Sequence, residues 1–189
     1  MEEYFAPLEA DRFAFPEGRA TFGQVVRKYV EGVSFPELEG AHIAIFGVGE
    51  ERGTVQNAGC AAAPDAVREK LYALKTGRYA YNILDLGNLR LGATLQDTYA
   101  AVASIHADLI REGILPVILG GSQDLTFAQY VAYQKLEETV NIVAVDASFD
   151  LGATEDPIGS DTYLGKIVLH EPNFLFNFSN LGYQTYFTG

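Results

Sequence analysis

The sequence predicts an α/β protein in which a mainly parallel sheet is covered by helices on both faces, a three-layer α/β/α arrangement. Three observations carry this. Short apolar, β-branched runs alternate with stretches of helical periodicity between His42 and Val145, the pattern of consecutive βα units. Two of the runs, residues 114–123 (ILPVILGGSQ) and 141–150 (NIVAVDASFD), stop abruptly at small and polar residues. Buried parallel strands end in this way where they deliver side chains to a ligand crevice. At 189 residues and 48% hydrophobic content, the chain is long enough for one cooperative core, burying roughly 70% of the surface its unfolded form exposes.

The elements follow in order. Residues 1–40 carry Pro7, Pro16 and Pro36 among scattered aromatics. They read as an arm with one short helix over 21–30, packing on a domain formed by residues 41–189. Residues 42–47 (HIAIFG) are a first central strand that ends at glycine. Pro64 then sits where a first helical turn accepts proline, Asp65 complements the helix dipole, and residues 66–74 continue the helix. Residues 81–87 (YNILDLG) read as the second strand. Val102, Ile105, Leu109 and Ile110 make a helical stripe within 98–112 that stops at Gly113. Residues 114–119 are the third strand. Leu125, Ala128, Val131, Ala132 and Leu136 space a helix over 124–137, and residues 141–145 are the fourth strand. The aromatic and asparagine-rich stretch 173–187 holds room for one more strand.

Composition excludes several classes of partner. The net charge is −12 and no run is rich in lysine or arginine, so a nucleic-acid backbone or an anionic membrane surface is repelled rather than gripped. One cysteine cannot form an internal disulfide, and Cys60, among the small residues 58–63, reads as a buried small side chain. The acidic start MEEYFAPLEADRFAF lacks the basic and apolar regions of a secretory signal. No apolar stretch approaches the ~20 residues that span a bilayer, so the expected location is the cytoplasm.

Chemistry is expected at the strand ends Gly120-Gly121-Ser122-Gln123-Asp124 and Asp146-Ala147-Ser148-Phe149-Asp150. Asp146 and Asp150 are four apart, so in a loop or half-turn their carboxylates can converge on one point. Hard oxygen donors of this kind, with Asp124 as a third candidate, suit manganese, magnesium or calcium. The competing reading is that these aspartates cap helices or bond loop amides, with Asp124 an N-cap. His42, His106 and His170 have no pairwise spacing of a zinc motif and read as surface or core histidines. Gly47-Val48-Gly49, followed by Gly53, resembles a loosened dinucleotide fingerprint. Against that reading, Glu50 and Glu51 repel phosphates and the next helix begins only at Pro64. Glycine at a tight turn is the alternative there.

The run 141–150 resembles the Asp-Ala-His-x-Asp motif of the arginase/agmatinase/formimidoylglutamase (ureohydrolase) family, and 114–123 resembles that family's Gly-Gly-Asp-His-Ser motif. Gln123 and Ser148 stand at the two histidine positions. Asn57-Ala58-Gly59, Pro64 and Arg68 resemble the family's Asn-x-Gly-x-x-x-x-Pro-x-x-x-Arg segment, and Asp85-Leu86-Gly87 its Asp-x-Gly. The stretch Asn180-Leu181-Gly182-Tyr183-Gln184-Thr185-Tyr186 is similar to formimidoylglutamase-type members.

This resemblance implies an arginase-like fold and hydrolysis of a carbon–nitrogen bond in a guanidino or formimino substrate such as formiminoglutamate. In that mechanism two manganese ions share a hydroxide that attacks the amidine carbon. Asp146 and Asp150 carry over as ligands. Gln123 and Ser148 offer only an amide and a hydroxyl, and the family's later Asp-x-Asp motif and C-terminal strands lie outside these 189 residues. The expectation is therefore a degenerate member without the complete binuclear manganese site and without normal amidine hydrolysis, needing no cofactor. One alternative is a weak or altered hydrolase of a small molecule, using manganese at Asp146, Asp150 and Asp124; another is a nucleotide-binding domain. A sheet edge left open by absent strands is a template for another copy, which implies a homo-oligomer.

Overall fold

The computed structural model describes residues 1–78 and 81–187. The first forty residues form β1 (Phe5–Ala6), α1 (Ala10–Phe13), α2 (Phe22–Val25) and β2 (Arg27–Lys28). The helix expected over 21–30 is thus a single turn. Beyond it the chain is extended because Arg27 and Lys28 pair in parallel with Leu84 and Asp85 of a central strand, and the Tyr29 N–H donates to the Asp85 carbonyl at 2.8 Å. These ladder bonds take the backbone groups that a continuing helix needs.

From Ile43 the βα alternation holds, with β3 (Ile43–Val48), α3 (Ala63–Ala73), β4 (Ile83–Leu89), α4 (Leu95–Arg111), β5 (Leu115–Gly120), α5 (Leu125–Leu136) and β6 (Val140–Val145). Then come α6 (Tyr163–Val168) and β7 (Leu175–Leu181). The helix expected from Thr98 begins three residues earlier, because Thr94 and Asp97 form a reciprocal capping box, with bonds of 3.1 and 2.9 Å. The six-residue α6 has no sequence signature of its own, being too short for a periodic stripe.

The main sheet has the order β1-β4-β3-β5, with β2 also on β4; β3 runs parallel to both β4 and β5. Side chains alternate across it. Ala44, Phe46, Leu84 and Leu86 face α4 and α5 through Val102, Ile105, Leu109, Leu125 and Ala128. Ile83 belongs to the other face, where Tyr72 of α3 meets Leu8, Phe13, Val26 and Val30. Helices on both faces give the three layers. β6 does not extend this sheet but pairs in parallel with β7, from Val140↔Leu175 to Val145↔Leu181. One face of that pair packs on α5 and α6, whereas Val143, Val145 and Phe176 are exposed. Among the described residues, no helix is long and apolar enough to cross a membrane.

One buried group makes stability pH-dependent. His106 lies in α4 against Tyr133 of α5, ring centroids 5.9 Å apart, and its Nδ1 has no partner. Burial pushes its pKa down from 6.5 to about 4. Between those values the unfolded chain binds a proton that the folded chain refuses. The contribution is therefore complete above pH 6.5 and is lost as pH falls toward 4, amounting to roughly 3 kcal/mol at the acid end. Urea unfolding of the wild type against His106→Leu is expected to show a shallower pH dependence in the variant across this window; parallel curves would exclude the mechanism.

Candidate functional site

The carboxyl ends of β3 and β5 meet backbone to backbone. Gly121 N–H donates to the Val48 carbonyl and Ser122 N–H to the Glu50 carbonyl, both at 2.8 Å. Only a glycine fits at position 121, because a Cβ there falls 2.0 Å from the Glu50 oxygen. Glu50 is itself buried and held by Arg52, whose Nε reaches Oε1 at 2.9 Å and Nη2 reaches Oε2 at 2.6 Å. Burial acts to raise the Glu50 pKa, but the bonds from Arg52 outweigh it and leave the carboxyl below its usual range. The glycines of this loop admit the chain's own atoms. A Cβ at Gly47 meets Asn88, Pro64 and Arg68, one at Gly49 meets the Ala61 carbonyl, and one at Gly53 meets the Asp124 carboxylate.

This framework places Gln123 beside the β6 end. Its Nε2 donates to Asp146 Oδ2 and, at 3.3 Å, to the Tyr163 hydroxyl. Asp146 Oδ1 accepts from Ser148 N–H at 3.0 Å, and Ser148 Oγ donates to Asp150 Oδ1 at 2.7 Å. Asn180 of β7 donates to the Ser148 carbonyl at 2.6 Å. Asp146 and Asp150 thus converge on one residue, Ser148, as their spacing allows.

Their environments differ. Burial works to raise the Asp146 pKa, but the Gln123 amide and the Ser148 and Ala147 N–H groups outweigh it and hold the carboxyl below its usual range. For Asp150, burial together with the Asp146 and Asp161 charges prevails over the Ser148 hydroxyl and holds the carboxyl above its usual range. Asp150 also has a left-handed backbone, φ 49°, and a buried Oδ2 without a partner. Two neighbouring carboxyls with opposed shifts are the raw material of acid and base roles.

Asp124 sits apart from this exchange of hydrogen bonds. It occupies the N-cap position of α5 yet makes no capping bond. Its buried carboxylate accepts instead from the Tyr99 hydroxyl at Oδ2, and Oδ1 has no partner. Among the described residues, no group of three or more His, Cys, Asp or Glu side chains is placed to hold a metal ion. The histidines lie in other settings: His42 Nδ1 accepts the Asn82 N–H at 3.0 Å, His106 is buried between α4 and α5, and His170 meets Gln134 at 2.8 Å with Phe127 and Tyr130 against its ring. Cys60 is buried, and burial with the nearby acidic groups raises its thiol pKa.

Tyr99 and Tyr163 were not legible as site residues. Tyr99 falls one turn before Val102 and reads as core, and Tyr163 lies in a stretch without a motif. Asn180 stands inside the recognisable segment 180–186, which was its only signal.

Fold and site together define a parallel α/β protein with a carboxylate pair at the carboxyl ends of its strands, the place where such sheets hold ligands. The chain belongs to the arginase family, which matches residues 41–168. It is 28% identical over 156 residues to a formimidoylglutamase of Corynebacterium efficiens, covering 71% of this chain and 49% of that protein. It is also 28% identical over 151 residues to the formimidoylglutamase of Salmonella paratyphi C, covering 77% and 47%. The chain therefore spans about half the length of these relatives. In structure it resembles the manganese-bound formiminoglutamase of Trypanosoma cruzi, with a TM-score of 0.71 at 20% identity over 81% of this chain and 56% of that one. The formimidoylglutamase of Bacillus subtilis gives a TM-score of 0.68 at 16% identity, over 95% and 60%.

Proposed function

We propose that this protein is a degenerate arginase-family member, in which hydrogen bonds from Gln123 and Ser148 occupy the carboxylates that would otherwise face a binuclear manganese site. The observation that carries the reading is that Gln123 Nε2 bonds Asp146 while Ser148 N–H and Oγ bond Asp146 and Asp150. A metal ligand presents a lone pair to the ion, whereas these groups present hydrogens to the carboxylates. The residues present do not fit a manganese pair: two carboxylates converge, no imidazole joins them, and Asp124 is turned to Tyr99. Hydrolysis of a formimino or guanidino substrate is accordingly not expected of this chain, which keeps a binding or assembly role.

One observation favours a second reading. Asp124 Oδ1 and Asp150 Oδ2 are buried without partners, an arrangement that costs free energy unless something pairs them. An altered, weak hydrolase that recruits a cation to these oxygens is the alternative.

Elemental analysis of protein purified without chelator, followed by manganese titration, separates the two. The expected result is no stoichiometric manganese at millimolar concentration, with Asp146→Ala plus Asp150→Ala behaving like the wild type. Stoichiometric manganese that disappears in the double variant would overturn the degenerate reading and justify assays on formiminoglutamate, agmatine and arginine.

A further inference from the structure

We propose that a cavity in the N-terminal arm, beside β2, binds a small organic phosphate, an anion with one doubly charged oxyanion group and an apolar part. The inference goes beyond the proposed function and holds whether or not a metal binds at the strand ends. The cavity measures about 470 Å³, the size of a small-molecule site. Its lining is drawn from residues 15–28 and includes none of the strand-end residues. The match to the arginase family begins only at residue 41.

Over the whole chain acids outnumber bases, 25 to 13. Around this cavity the ratio is reversed, the lining holding Arg19, Arg27 and Lys28 against Glu17 alone. Arg12, Arg52, Arg68 and Arg111 each pair with an aspartate or glutamate, whereas among the described residues Arg19, Arg27 and Lys28 form no ion pair. Lys75, brought to the arm by its bridge to Thr21, forms none either. Carboxylates more than about 10 Å away are screened at 0.1 M salt, so the local excess of positive charge decides the sign that a small ligand meets.

Lys28 is already held in place. Its ammonium donates to the Gly23 and Val26 carbonyls and lies 5.7 and 5.6 Å from the Phe15 and Tyr72 ring centres, which leaves one of its three N–H donors uncommitted. Burial lowers its pKa; the Asp85 charge opposes this, but Asp85 is bound by Arg68. An entering anion supplies the missing counter-charge. Gln24 ties its Oε1 to the Thr21 N–H at 3.1 Å, so its amide N–H groups are further donors in the lining. Two guanidinium forks, an ammonium and an amide suit a phosphate, whose oxygens accept from several directions at once. Phe15 and Val25, 37% and 42% exposed, give the lining its apolar part, which selects a ligand with a ring or alkyl group beside its charge.

Calorimetric titration with phenyl phosphate, inorganic phosphate and succinate tests this. Phenyl phosphate is expected to bind at one site per chain, about tenfold more tightly than inorganic phosphate and more weakly as salt rises. Arg19→Gln plus Arg27→Gln, both exposed positions, is expected to lower its affinity about tenfold or more with unchanged circular dichroism. Val25→Glu, which sets a carboxylate in the lining, is expected to abolish binding, and Arg111→Gln on α4 to leave it unchanged. Hydrogen exchange of the unsubstituted protein reads the same contact: amides of residues 21–28 should exchange more slowly with phenyl phosphate present. No binding at millimolar phenyl phosphate, or affinity untouched by both arm variants, would overturn the proposal. So would an equal loss in Arg111→Gln, or succinate binding more tightly than phenyl phosphate.

Discussion

Replacing Arg68 by methionine is expected to remove about 3–5 kcal/mol of folding stability, a large part of what a domain of this size possesses. Arg68 and Asp85 are both fully buried, and the guanidinium grips the carboxylate at two points, 2.8 and 3.0 Å. The remaining lone pairs and protons are also satisfied. Tyr72 OH donates to Asp85 at 2.7 Å and Gly87 N–H at 3.0 Å, while Arg68 reaches the Gly87 carbonyl at 2.9 Å and Asn88 at 2.6 Å. Burial and the Asp85 charge hold the Tyr72 phenol above its usual pKa, so it serves the network as a neutral donor. Methionine matches much of the volume but leaves the buried Asp85 carboxyl without its guanidinium partner. The urea midpoint measures the effect, with the slope unchanged if unfolding stays two-state. A loss below about 1 kcal/mol would mean that water reaches Asp85 and that the network is not the clamp between α3 and β4 that its geometry describes.

Gly121→Ala is expected to be nearly as severe and to act on the site. The added methyl falls 2.0 Å from the Glu50 carbonyl oxygen, 2.8 Å from its carbon and 2.9 Å from its nitrogen. All three are backbone, so no side-chain rotation relieves the contact. Neither strand end is free to retreat, since Gly121 and Ser122 donate to Val48 and Glu50 and the Glu50 carboxylate is tied to Arg52. A cost of about 3 kcal/mol follows from overpacking of this kind, which lowers the melting temperature by about 6–12 °C at this chain length. The loop that carries Gln123 moves with Gly121, so exchange of the Ser148 amide, bonded to Asp146, is expected to quicken. An unchanged melting temperature would show that the two loops are not in the contact described.

The strands and long helices were legible because their signals are local. Residues 42–47, 81–87, 114–119 and 141–145 are recovered as β3, β4, β5 and β6, each within two residues at its ends. The stretch 173–187 does contain a strand, β7. Arg68 and Asp85 stood out as motif residues, but nothing local said that they form one buried ion pair, seventeen positions apart. The turn at Phe22–Val25 was misjudged as a longer helix because pairing of Arg27 and Lys28 with β4 is a contact across more than fifty residues. Tertiary hydrogen bonds override a weak local preference.

The candidate site divides in the same way. By itself the sequence determined which residues stand at the strand ends and that Asp146 and Asp150 are spaced so that they can converge. These follow from strand periodicity and short-range spacing, which no distant contact alters. Only the tertiary structure decided where the hydrogens of Gln123 and Ser148 point, that Asp124 turns to Tyr99, and that β6 joins β7 in a second sheet. Each of these depends on elements separated by tens of residues, where packing and backbone pairing, rather than local preference, set the outcome.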